Sequence, residues 1–131
     1  MAEDVSKIRA ALEVLRVPNP AGTDRRSWMR GMLHGKYQGA DRYCILGALE
    51  HVGVSINHNY HREESADLRV IRKVIGEQFG NGGYSEGVPP SIPGFNDEKT
   101  RTFDEVELVL EKAAILREEE GARSDWSLKR S

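Results

Sequence analysis

Cys44 is the only cysteine of the chain, and it opens the run Cys44-Ile45-Leu46-Gly47-Ala48-Leu49. With Asp41 as the cap of a helix over 41–52, the thiol falls near the first turn. There, unpaired N–H groups and the positive dipole end lower a thiol pKa, as a nucleophile requires. His51, His58 and His61 follow, and Asn96 or Asp97 can orient an imidazole. Cys44 with His58 as base is therefore the candidate pair for a cysteine-dependent hydrolase or transferase. A structural reading competes with it. Cys44, Gly47 and Ala48 stand at i, i+3 and i+4, a flat patch on which another helix can pack, with the thiol as a small buried hydrophobe. The residue types favour packing.

His58-x-x-His61, followed by Glu63 and Glu64, has the ligand types of a divalent-metal site. The polar loop around it and the lack of a second cluster argue for no metal, and nothing calls for a cofactor. Asn96-Asp97 closes a Gly/Pro-rich connection over 80–97, just ahead of a helix. The pair is either local turn chemistry or the polar floor of a pocket. On the pocket reading, Trp28 and Tyr43 line it with Asn96 and Asp97. Pro89, Pro90 and Pro93 then stiffen a cover hinged at residues 80–83, and backbone N–H groups of the helix starting at Thr102 hold Asp97. The turn reading is the simpler of the two. Trp126, isolated in a polar tail, either docks back or anchors a partner.

The elements that must position these residues follow from apolar periodicity and from start and stop signals. Val5, Ile8, Leu12 and Leu15, with Ala11, predict a helix over 5–16 capped by Asp4 and stopped by Val17-Pro18-Asn19-Pro20. Thr23-Asp24 starts a second helix burying Trp28, Met29, Met32 and Leu33, weakened by Gly31, Gly35 and Gly39; a short extended segment over 32–37 is the alternative. Helices over 41–52 and 64–79 follow, the latter burying Leu68, Ile71, Val74, Ile75 and Phe79. Thr102 with Glu105 forms a capping box for a last helix over 102–117, burying Phe103, Val106, Val109, Leu110 and Ala113. It frays at Glu118-Glu119-Glu120-Gly121, a solvated helix end.

The reading is an all-α domain of four or five helices over residues 1–117, with room for a minor hairpin, and a charged, flexible tail over 118–131. At 131 residues one core suffices. A net charge of −2 argues against nucleic acid as a partner, although Arg25, Arg26 and Arg30 form a local basic cluster. A single cysteine excludes an internal disulfide and suits a reducing compartment. The acidic start Met-Ala-Glu-Asp is unlike a signal peptide, and no apolar run reaches the length of a bilayer span. The expected location is the cytoplasm, with no membrane partner.

In Trp28 with Gly31, Cys44-x-x-Gly47-Ala48-Leu49, and Asn96-Asp97 ahead of Thr102, Glu105 and Val106, the chain resembles a family of small proteins of unknown function from actinobacteria and their phages. The match spans most of residues 8–114. The resemblance implies a helical fold and assigns no activity. The functional expectation is a noncatalytic binding or interaction module, phage or mobile-element encoded, acting on a host protein or sequestering a small polar ligand.

Overall fold

The apolar spacing Ile8, Ala11, Leu12, Leu15 builds the first helix, α1 (Ile8–Arg16), all four side chains being buried. The computed structural model describes residues 7–20, 22–37, 40–56, 65–80 and 91–130, with the side chains of residues 36, 37, 40 and 121–130 excepted. Val17 leaves the helical region at φ −56°, ψ 126°, as a residue preceding proline must. Asp4 and Val5 lie outside the described residues. Lys7 holds the N-cap position without a side-chain bond, and its backbone N–H donates to Asp67 Oδ2 at 3.4 Å.

The expected second helix does not form. Residues 22–33 make turns and isolated bridges, and the chain enters an antiparallel hairpin of β1 (His34–Tyr37) and β2 (Ala40–Tyr43). Asp24 and Arg25 both have positive φ, 54° and 59°, with Arg26 N–H bonded to the Thr23 carbonyl. Two left-handed residues in succession define a type I′ turn and exclude a right-handed helix. The extended alternative at 32–37 holds for residues 34–37, with residues 32 and 33 in bends. Likewise Asp41 is a strand residue, not a cap, and α2 spans only Ile45–His51.

α3 (Ala66–Phe79) is capped by Ser65, whose hydroxyl accepts from Asp67 N, and ends at Gly80 with φ 72°. Its core face follows the expected periodicity at Leu68, Ile71, Val74 and Ile75, with Val70 added and Phe79 only half-buried. The 80–97 connection contains α4 (Ile92–Asp97), capped by Ser91; its segment 81–90, including Pro89 and Pro90, lies outside the described residues. The expected capping box opens α5 (Phe103–Arg130), since Thr102 N donates to Glu105 Oε1 at 2.9 Å. A long-range cap was not legible: Phe103 N donates to Asp24 Oδ2 at 2.7 Å. α5 does not fray at 118–121 but continues to Arg130.

α5 packs against α3 and α1, α1 against α2, and α4 against α2 and α3. Ion pairs fix α5 antiparallel to α1. Arg9 meets Glu118 at 2.5 Å, while Arg16 meets Glu107 at 2.7 Å and Glu111 at 2.5 Å. The acidic run thus serves packing, for Glu120 also reaches Arg69 at 3.9 Å. Asp67 pairs with Arg117 at 3.0 Å, with both side chains largely buried. The architecture is a mostly helical domain with one small two-stranded sheet.

Candidate functional site

Asn96 is fully buried and uses its whole hydrogen-bonding capacity. Its Oδ1 accepts from Trp28 Nε1 at 2.7 Å and from Ile45 N at 3.1 Å. Its Nδ2 donates to the Met29 carbonyl at 3.0 Å and to Asp97 Oδ1 at 2.9 Å. One side chain therefore ties α4 to the Trp28 segment and to the start of α2. Asp97 adds a bond from Gly31 N at 2.9 Å. The structure brings Trp28, Asn96 and Asp97 of the expected pocket lining together as an internal clasp. Trp28 is 0% exposed and presents no surface, and Asp97 is held by Gly31 rather than by the N-terminus of α5.

The clasp positions Tyr43. Met29 N donates to the Tyr43 carbonyl and Tyr43 N to the Ser27 carbonyl, both at 2.9 Å. The Tyr43 ring lies between two histidines. His34 stacks on it at 4.9 Å and 21°, and His51 tilts against it at 5.0 Å and 41°. Its hydroxyl is 3.5 Å from His51 Nδ1, and His34 Nε2 is 2.9 Å from Asp41 Oδ1. Burial, and secondly the Asp41 carboxylate, push the Tyr43 phenol above its ordinary range, so it stays neutral at physiological pH.

Tyr43, His51 and Asp41 line an open cleft of about 350 Å³. Val14, Val17 and Pro18 supply its apolar surface, and Asn19 and Ser27 its buried polar groups. Asn19 Nδ2 donates to the Asp41 carbonyl at 3.4 Å, and the Ser27 hydroxyl to the Val17 carbonyl at 2.9 Å. The cleft joins aliphatic contact surface to a phenol, an imidazole and a carboxylate, a set suited to orienting a small polar group. Of the predicted ligand residues it gathers only Tyr43. His34, Asp41, Asn19 and Ser27 carried no usable sequence signal, because only the hairpin brings them to one place.

Cys44 is the N-cap of α2, and its Sγ accepts from Gly47 N at 3.3 Å. The thiol is 7% exposed, and burial raises its pKa, outweighing the helix N-terminus. The predicted nucleophile is thus kept protonated. His51 is at the far end of α2, ~10 Å away at the helical rise, and His34 pairs with Tyr43, whose side chain faces opposite to that of its neighbour. The small-residue patch admits a loop rather than a helix. A Cβ on Gly47 would lie 1.7 Å from the Leu33 carbonyl oxygen, and that same oxygen accepts from Cys44 N.

Two of the three arginines of the basic cluster are spent on internal contacts. Arg26 donates to the Arg16 carbonyl at 2.9 Å and lies over Phe103, and Arg30 bonds the Arg101 carbonyl and lies over Trp28. His58, His61, Glu63 and Glu64 lie outside the described residues, as does the Trp126 side chain. Among the described residues no group of three His, Cys, Asp or Glu side chains has metal-site geometry, and no helix is long and apolar enough to cross a membrane.

A family model described as "Family of unknown function (DUF6197)" matches residues 7–116. No curated protein and no solved structure matches the chain.

Proposed function

Since the chain belongs to this family of unknown function, we propose its role from the site itself: a noncatalytic binding module that seats its ligand in the Tyr43 cleft. The observation that carries this reading is the division of labour around Asn96. The buried clasp holds Trp28, Ser27 and Tyr43 in one frame, and the polar rim of Tyr43, His51 and Asp41 opens to solvent beside aliphatic surface. A capped, buried Cys44 supports binding over cysteine chemistry. The partner is a host protein or a small polar ligand met in the cytoplasm. Phage or mobile-element origin is part of the proposal and rests on the sequence resemblance alone.

The test compares wild-type protein with Val17→Arg, a change at a side chain 53% exposed on the cleft wall. Both are used for affinity capture from lysate and for mass spectrometry of small molecules released on denaturation. A species retained by the wild type and lost from the variant is expected. Identical profiles from two equally stable proteins would remove the cleft from the reading.

A further inference from the structure

We infer that the Tyr43 cleft selects an organic cation, an ammonium group on an aliphatic stem; this deepens the binding-module reading and rests on it. Its charged lining is one-sided. Asp41 contributes a carboxylate, and among the described residues the lining contains no lysine or arginine. Two helices also end there. Val14 and Val17 belong to the last turn and C-cap of α1, and His51 is the last residue of α2. The negative end of a helix dipole favours a cation within about one turn. Arg26 already exploits that field, donating to the Arg16 carbonyl.

Two neighbouring arginines are directed elsewhere. Arg16 is committed to Glu13, Glu107 and Glu111, and the Arg42 guanidinium lies near Gly35. His34 Nε2 is 2.9 Å from Asp41 Oδ1, an ion pair whenever the imidazole carries a second proton. His34 competes with a ligand for that carboxylate, which gives the proposal a second handle. Val14, Val17 and Pro18 provide the contact for a methylene stem, while the Tyr43 hydroxyl and Ser27 oxygen offer acceptors. An alkyl carboxylate of the same length meets the same wall but the wrong field.

The test titrates ¹⁵N-labelled full-length protein with n-butylammonium, butyrate and n-butanol, following the Ser27 and Tyr43 amides and the His51 ring. The ammonium is expected to shift these resonances saturably and butyrate to leave them. Asp41→Asn should weaken the ammonium by about 1.5- to 5-fold, the range of one exposed ion pair, and His34→Phe, which keeps a ring on Tyr43 and removes the pair with Asp41, should strengthen it. Nα-acetyl-lysine amide separates the sources: tighter binding than butylammonium assigns a protein lysine, equal or weaker binding a free amine. Butyrate acting as strongly as the ammonium, or an unchanged affinity in Asp41→Asn, would overturn the inference. If no probe shifts the cleft while Val17→Arg still abolishes capture from lysate, the cation is wrong and the binding module stands.

Discussion

The Trp28 indole N–H and the Asn96 side-chain oxygen meet at 2.7 Å across 68 residues of sequence, both side chains wholly buried. That bond joins the segment carrying Ser27 to the short helix α4. Since Asn96 also accepts from Ile45 N, it fixes where α2 begins, and hence where His51 ends it.

Asn96→Leu should destabilise the protein by about 3 kcal/mol or more, because Trp28 Nε1, Ile45 N and the Met29 carbonyl all lose a buried partner. Urea unfolding measures this, with a red shift of Trp28 emission in any partly opened native state. A loss below about 1 kcal/mol would mean that the clasp is dispensable.

Gly47→Ala places a methyl 1.7 Å from the Leu33 carbonyl oxygen, so backbone must move. Overpacking of this kind costs about 1–3 kcal/mol, and the Cys44 N–H bond to Leu33 should weaken, visible as faster exchange of the Cys44 amide. Gly31→Ala meets open space and carries only the strain of φ 84°, about 1–2 kcal/mol, with Cys44 exchange unaltered.

Cys44 should react slowly with iodoacetamide in the native protein at neutral pH and quickly in denaturant. Its folded pKa is raised, chiefly by burial, so the native state keeps a proton that the unfolded chain loses near 9.0. The contribution to stability is therefore complete below that pH and declines as pH rises through the folded value. Rapid native labelling at pH 7 would reverse the assignment of Cys44 as a cap.

The ion pairs of Arg16 and of Arg117 should differ in salt response. Arg16→Ala removes three partly exposed pairs and should cost about 1 kcal/mol, a loss that shrinks at high salt. Asp67→Ala strands the largely buried Arg117 and releases Lys7 N, and should cost about 3–5 kcal/mol with little salt dependence. Denaturation curves at low and high sodium chloride decide between them.

What the sequence determined by itself was local. The apolar faces of α1, α3 and α5, the Pro18 stop, the Gly80 terminus and the Thr102–Glu105 capping box each depend on residues within a turn or two of one another. Tertiary structure decided the rest. Trp28, Met29, Met32 and Leu33 have helical spacing, yet consecutive positive φ at Asp24 and Arg25 and the glycine at 31 turn the chain into bridges and a hairpin. That hairpin ends at Tyr43 and passes the cap from Asp41 to Cys44, which converts an apparent nucleophile into a structural acceptor. Asn96 and Asp97 were legible as polar residues of consequence, but their partners lie 51 to 68 positions away. A side chain that can hydrogen-bond either a ligand or the protein's own backbone carries no mark of its choice in the sequence. Only the packing that withdraws it from water settles which partner it takes.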